Sequence, residues 1–257
     1  MKPATPHTIL ITGATGALGG ALAECYAAPG MTLILQGRDR EVLSAVSGRC
    51  RARGAIVQSF EVDALDRSAW CQWLSEVVAA HAIDLALPCA GLNLHPAGPG
   101  ETEAFGALVA LMEVNILASA AVVDAVVPGM RNRRRGQIAL FSSLAAFHGL
   151  PLTPAYSASK AALKAYGEGL RGRLAPFGIA VQVVMPGYVD SAMCRAMPGP
   201  KPFMWTAEPA ARAIRRGLAA GHARITFPRL LALGCWSLSV LPPAAAGWFL
   251  RLLRYGP

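Results

Sequence analysis

Residues 8–27 constrain this chain more than any other stretch. Thr8-Ile9-Leu10-Ile11 reads as a buried strand. Thr12-Gly13-Ala14-Thr15-Gly16-Ala17-Leu18-Gly19 follows at once, and an alanine-rich helix is expected from about Gly20 to Ala27. Glycines have no Cβ, so they let the backbone turn tightly and let a ligand come close to it. The helix N-terminus beyond them offers free N–H groups and a partial positive charge, which suit a phosphate. A glycine-rich loop alone is a weak signal. Its position between a strand and a helix gives it weight, and Gly13, Thr15, Gly16 and Leu18 are its candidate ligand contacts.

The same alternation continues. Strands are expected at Thr32–Leu35, Ile56–Val62, Ile83–Leu87, Gln137–Phe141, Ile179–Val184 and Arg224–Phe227. Helices are expected from Asp39 onward, from an N-cap at Asp66, over Ala104–Val127, from an N-cap at Thr153 with Pro154 first in the helix to Ala175, and over Ala207–Ala220. Strands alternating with helices imply an α/β fold, a parallel sheet of about seven strands covered on both faces. Ligands bind such sheets at the carboxyl ends of the strands. At 54% hydrophobic and 15% charged, the chain has the apolar material to cover both faces and is not disordered.

The second strand ends in Gln36-Gly37-Arg38. In dinucleotide folds this position meets the adenosine ribose. An acid there favours a free 2′-hydroxyl, whereas Gly37 followed by Arg38 suits a 2′-phosphate. The plainer reading is that Arg38 only leads into the next helix.

Tyr156-Ser157-Ala158-Ser159-Lys160 is the most informative chemical segment. Tyr156 and Lys160 stand i, i+4 near a helix start and share a face. A phenol with an ordinary pKa near 10 is a poor acid–base group at neutral pH. A neighbouring ammonium and a helix N-terminus are expected to lower it. Ser143, thirteen residues earlier at a strand end, can offer its hydroxyl to a substrate oxygen beside the phenol. His148 is more plausibly a pocket or loop residue than an acid–base group.

Taken together, residues 7–228 resemble a single-domain short-chain dehydrogenase/reductase. The resemblance rests on the glycine-rich loop, Asp63, Ala90-Gly91, Asn115 in Val114-Asn115-Ile116, Ser143, Tyr156-x-x-x-Lys160 and Pro186-Gly187-Tyr188-Val189-Asp190-Ser191. It implies a Rossmann-type doubly wound sheet and a nicotinamide cofactor, with NADP(H) preferred over NAD(H) on the strength of Arg38. Tyr156 is then the general acid for carbonyl reduction. Lys160 holds the nicotinamide ribose, and Ser143 positions the substrate oxygen. Asn115 kinks its helix and holds a water that links Lys160 to solvent. Pro186, Gly187 and Val189 line the nicotinamide, and Asp63 meets the adenine with Ala64 behind it. Ala90 and Gly91 complete the cofactor set, and no metal is required. The resemblance also implies a homo-oligomer, a dimer formed through the long fifth and sixth helices.

Two positions depart from the family pattern. Ala17 stands where the middle glycine is usual, a spacing shared with sugar-nucleotide epimerases. It is tolerable if its φ stays negative. Pro88-Cys89 replaces an asparagine pair that helps to brace the sheet. An epimerase or dehydratase is the lesser enzyme alternative, since the substrate domain of those enzymes is missing. A cofactor-sensing or membrane-docking protein of the same fold is the non-enzyme alternative.

Lys plus Arg is 24 and Asp plus Glu is 15, a net +9, with arginines clustered at Arg131–Arg135 and after Arg212. No aromatic-basic RNA motif, helix-turn-helix or zinc-finger spacing accompanies them, so nucleic acid is not an expected partner. The six cysteines are at least 18 residues apart and form no metal clip, and the short run Ile9–Ile11 is too brief for a signal segment. A cytoplasmic protein with reduced thiols is expected.

Beyond residues 1–228 lies an apolar extension, 229–257. Leu230 to Leu250 carries no charge, and Pro242-Pro243 divides it into halves too short to span a bilayer. A segment lying at a membrane interface, a cap over the substrate pocket and an oligomer contact are all compatible with it. Met193, Met197, Phe203, Met204 and Trp205 promise an adaptable apolar wall, hence a small hydrophobic carbonyl or alcohol substrate.

Overall fold

The structure, a computed structural model, describes residues 3–98 and 100–255. Seven parallel strands form one sheet in the order β3-β2-β1-β4-β5-β6-β7: β1 Thr8–Thr12, β2 Thr32–Gly37, β3 Ile56–Glu61, β4 Leu85–Pro88, β5 Gly136–Phe141, β6 Ile179–Pro186 and β7 Arg224–Phe227. The order reverses between β1 and β4, and at such a reversal the crossing connections diverge and leave a crevice.

Period-two side-chain alternation explains why the strands read as continuous apolar runs. Ile9, Ile11, Leu33, Leu35, Leu85 and Leu87 pack on one face with α1 (Ala17–Tyr26), α2 (Arg40–Ala52) and α8 (Ala207–Ala219). Leu10, Ile34, Ala86, Ile138, Leu140 and Val181 pack on the other with α3 (Arg67–Ala80), α5 (Ala118–Asn132) and the end of α6 (Pro154–Leu174). Each fully buried side chain of this size contributes roughly 1.5–3 kcal/mol, so neither face can be left uncovered. The arginine cluster is largely spent within the fold. Arg133 donates to the Ile83 carbonyl, Arg134 to that of Pro176, and Arg135 pairs with Asp84 at 2.7 Å.

The apolar helix expected over Ala104–Val127 is three pieces. After α4 (Phe105–Met112), a π turn (Glu113–Leu117) inserts an extra residue before α5. Asn115 lies within this turn and its amide bonds Leu92 in both directions; where a kink was expected, the structure has a π turn. The helix also runs past Pro128 to Asn132. Pro128 lies on the exposed side, where water serves the carbonyl it cannot bond, while buried Met130 holds the last turn down. By length and composition Phe105–Asn132 is enough to cross a bilayer, but Leu111, Val122, Val126 and Met130 bury one side of it in the core.

At the N-terminus of α6, Thr153 occupies the N-cap position but its side chain caps nothing. The Ala155 N–H instead bonds the Glu103 carboxylate at 3.0 Å. The chain closes with α7 (Ala192–Ala196) in the loop after β6, then α9 (Arg229–Leu238) and α10 (Pro243–Leu252). Ala232 joins Leu144, Val183 and Met185 in a small core cluster of its own, with Leu231 and Cys235 packed against it.

Candidate active site

A cavity of about 870 Å³ opens at the carboxyl ends of the strands, over the reversal between β1 and β4. One end is built by the glycine-rich loop. Gly13 has φ +65°, and a Cβ on it would lie 2.7 Å from the Ala90 backbone. A Cβ on Gly19 would lie 2.2 Å from the Gly13 carbonyl oxygen. These two glycines are therefore required by the fold of the loop itself. Gly16 is the N-cap of α1 and brings no side chain to cap it, so the first-turn N–H groups of Ala17, Leu18 and Gly19 are left to the cavity. Ala17 begins the helix and is not among the residues with positive φ, so its departure from the usual glycine spacing is structurally harmless.

Thr15, Gly16, Leu18, Arg38, Asp63 and Ala64 line this end. Arg38 is exposed, and no carboxylate among the described residues pairs with it. Asp63 Oδ1 accepts from the Leu65 N–H at 3.0 Å, which fixes the turn after β3.

Ala90, Gly91, Ser143, Tyr156, Lys160, Pro186, Gly187 and Val189 line the middle of the cavity. Lys160 Nζ donates to the Phe141 carbonyl at 3.0 Å and lies 5.5 Å from the Tyr156 ring centroid. Ser143 Oγ accepts from the Ala145 N–H at 3.1 Å and reaches the Pro186 carbonyl at 3.5 Å. Its neighbour Ser142 donates to the Lys160 carbonyl at 2.7 Å, which ties α6 to the end of β5.

Asn115 is the one predicted site residue that stands behind the wall. It is fully buried. Its Oδ1 accepts from Leu92 N–H at 2.7 Å, and its Nδ2 donates to Leu92 O at 3.0 Å and Ser159 Oγ at 2.9 Å. A Cβ placed on Gly91 would lie 3.3 Å from Asn115 Oδ1 and 3.6 Å from Lys160 Nζ, so Gly91 keeps these two side chains close. His148 does not line the cavity.

The electrostatics correct one expectation. Burial pushes the Tyr156 phenol above its ordinary value, with the Ser143 hydroxyl opposing, so the net shift is upward where a neighbouring ammonium was expected to lower it. Lys160 is itself buried and is pushed down to about 8 by desolvation, with the Cys89 thiol opposing. The phenol therefore holds its proton at neutral pH, and the ammonium titrates just above it.

A family model described as short chain dehydrogenase matches residues 7–199. The chain belongs to the short-chain dehydrogenase family. An uncharacterized oxidoreductase of Myxococcus xanthus is 33% identical over 241 residues, 92% of this chain and 93% of that one. A ketoacyl reductase of Nostoc is 30% identical over 193 residues, 74% of this chain and 66% of that one. Among solved structures, a short-chain dehydrogenase from Sphingobium yanoikuyae in complex with NADPH superposes with a TM-score of 0.79 at 24% identity, covering 91% and 94% of the two chains. One from Streptomyces avermitilis gives 0.79 at 25% identity, covering 96% of both.

The far end of this dehydrogenase's cavity is apolar, and much of it escaped sequence reasoning. Of the five residues expected to form its wall, Met193 and Met197 do so. Phe203 and Met204 are exposed outside it, and Trp205 stacks on Phe227 at 5.0 Å. The rest comes from the chain's end: Leu231, Cys235, Leu238, Leu250 and Tyr255 close the cavity. Capping was one of the open readings of this segment, but nothing in its sequence says which side faces inward. Gln36 was also missed. Its Oε1 accepts from Gly13 N–H at 2.9 Å, and Thr12 Oγ1 accepts from Ala90 N–H at 3.4 Å, so the Pro88-Cys89 departure does not leave the loop unbraced. Asn93 Oδ1 and Thr153 Oγ1, both on cavity residues, are buried with no partner among the described residues.

Proposed function

We propose that this dehydrogenase reduces the carbonyl group of a small hydrophobic ketone or aldehyde with NADPH. One observation carries the reading. Ser143, Tyr156 and Lys160 meet in the middle of a single cavity that has an uncapped helix N-terminus and Arg38 at one end and an apolar chamber at the other. The residues present fit the cofactor. The free N–H groups of the α1 first turn suit a pyrophosphate, and the glycine cradle admits no side chain. Arg38, free of any carboxylate, suits a 2′-phosphate. Asp63 and Ala64 are assigned to the adenine, and Ala90, Gly91, Pro186, Gly187 and Val189 to the nicotinamide side.

A bound NADPH supplies the hydride that the carbonyl carbon accepts. Tyr156 gives its proton to the carbonyl oxygen as the C=O π bond breaks, and the product is an alcohol. The raised phenol pKa keeps that proton available at neutral pH. Ser143 holds the oxygen beside the phenol. Lys160 stabilises the phenolate left behind and binds the ribose. Asn115 acts as a positioning residue: through Leu92 and Ser159 it fixes the wall on which Lys160 stands and keeps open the route by which a proton returns from solvent.

The ketoacyl reductase relative and the NADPH complex of the Sphingobium structure support the substrate class and cofactor. Six free cysteines support a cytoplasmic setting. The exposed Phe105, Val109 and Leu117 on the outer side of α4 and its continuation support a homo-oligomer. The test is NADPH and NADH titration followed by NADPH consumption against ketones graded in chain length. Tight NADPH binding with turnover that rises with chain length is expected. Faster turnover of small polar sugars, or tight binding without turnover in either direction, overturns the reading.

A further inference from the structure

The two C-terminal helices have two different faces. Leu231, Cys235 and Leu238 of α9 look into the cavity. Leu230, Leu233, Trp236 and Val240 recur every three or four residues along the opposite side and are 66%, 60%, 48% and 63% exposed. On α10, Trp248 and Leu252 are likewise more than half exposed. Single exposed apolar residues are ordinary. A helical stripe of them on two consecutive helices marks a surface that is covered in use.

The charge around the stripe narrows the occupant. Arg229 opens α9, and Arg251 and Arg254 lie at the end of α10, all exposed and none paired with a carboxylate among the described residues. No Asp or Glu occurs after Glu208. A second copy docked through this same face would bring these arginines against one another with no acid to answer them. An anionic lipid surface answers both features, taking the stripe among its acyl chains and the guanidinium groups among its phosphates. Tryptophan at the edge of such a stripe is suited to the headgroup level. Each helix has ten residues, about 15 Å, half of a hydrocarbon core of about 30 Å, so each lies along the interface rather than across it.

We infer that the outer face of α9 and α10 is a docking surface for an anionic bilayer. Phe249 and Leu253 belong both to the exposed face and to the cavity wall. Resting on the substrate reading above, this means that an apolar carbonyl compound dissolved in the bilayer meets the cavity at the docked face.

The full chain is tested with vesicles of phosphatidylcholine alone and of phosphatidylcholine mixed with phosphatidylglycerol. It sediments with the mixed vesicles and much less with the neutral ones, and brominated acyl chains quench its tryptophan fluorescence. The Leu230→Glu, Leu233→Glu, Val240→Glu variant changes no residue that lines the cavity. It keeps its thermal unfolding and loses about tenfold or more in vesicle affinity. If that variant does not fold, Arg229→Gln, Arg251→Gln, Arg254→Gln serves instead and loses binding to the mixed vesicles selectively. Full-length protein that stays in solution with both vesicles overturns the inference. So does a charge or stripe variant that binds as tightly as the parent, or one whose only change is from dimer to monomer in sedimentation. Vesicle binding is scored without cofactor or turnover, so its failure is distinguishable from failure of the reductase reading.

Discussion

The Tyr188 hydroxyl donates to the Tyr255 hydroxyl across 2.8 Å, and the Tyr255 hydroxyl donates in turn to the Pro200 carbonyl at 2.5 Å. This chain of bonds ties the loop after β6 to the end of the protein, across the apolar end of the cavity. Burial raises both phenols, so the tie keeps its protons through mildly alkaline pH. Tyr255→Phe leaves the Tyr188 hydroxyl and the Pro200 carbonyl without partners, at a cost of about 1–3 kcal/mol. For a domain of this size the melting temperature falls by several degrees, roughly 2–4 °C per kcal/mol. KM for bulky ketones rises while kcat changes little. A variant with the melting temperature and KM of the parent rejects the tie.

Tyr156→Phe removes the hydroxyl proposed as the proton donor and keeps the ring. Turnover falls about a hundredfold to ten-thousandfold, while NADPH still binds, as read by its fluorescence. Retained turnover assigns the proton to another group; a sensor of the same fold would respond unchanged.

Arg38→Ala separates the two cofactors. Losing charge-assisted bonds to a 2′-phosphate costs about 1.5–3 kcal/mol, a loss of roughly ten- to hundredfold in NADPH affinity, with NADH affinity nearly unchanged. Isothermal titration with both cofactors decides it, and equal losses sink the 2′-phosphate assignment.

Lys160 predicts a pH dependence of stability. Its pKa is about 8 in the folded protein against an ordinary 10.5. Between these values the unfolded chain holds a proton that the native protein has released, so the number bound is larger in the unfolded state and stability rises with pH. Below about 8 the buried ammonium costs its full amount; the cost disappears as pH climbs towards 10.5. Relative to Lys160→Met, the parent gains on the order of 2 kcal/mol between pH 8 and about pH 10. Urea unfolding of both proteins across that window measures it. A constant difference means that Lys160 titrates normally.

Gly37 and Thr15 are coupled sterically. A Cβ on Gly37 would lie 2.4 Å from Thr15 Cγ2. Gly37→Ala therefore destabilises by overpacking, about 1–3 kcal/mol, and Thr15→Ala in the same chain recovers part of the loss. Thermal denaturation of the four proteins in a double-mutant cycle gives the coupling. Additive effects show that the contact relaxes freely.

The strands were legible because a parallel sheet covered on both faces needs continuous apolar runs, and runs such as Leu33-Ile34-Leu35 have no other stable home. The meeting of Ser143, Tyr156 and Lys160 at one cavity was legible because they keep fixed spacings that a strand end and a helix face impose. Three kinds of feature were not. α1 starts at Ala17 rather than Gly20, because whether a loop residue joins a helix depends on the N–H groups it can spare. The π turn at Asn115 lies in a run so apolar that no periodicity marks the extra residue; it is set by a bond to Leu92, distant in sequence. The proton affinity of Tyr156 follows from how much protein surrounds it, which no i, i+4 spacing reports.

The cavity is closed by the chain's own end. Glycine loop, Ser143, Tyr156 and Lys160 lie before residue 190, whereas much of the apolar end of the cavity is shaped by residues 231–255. On the reading proposed above, recognition and chemistry thus fall in separate stretches of one polypeptide. The two stretches are joined where Ala232 packs on Leu144 and where Tyr255 bonds Tyr188, so a change after Pro228 that alters the apolar wall also loads the strand ends that carry Ser143 and Gly187.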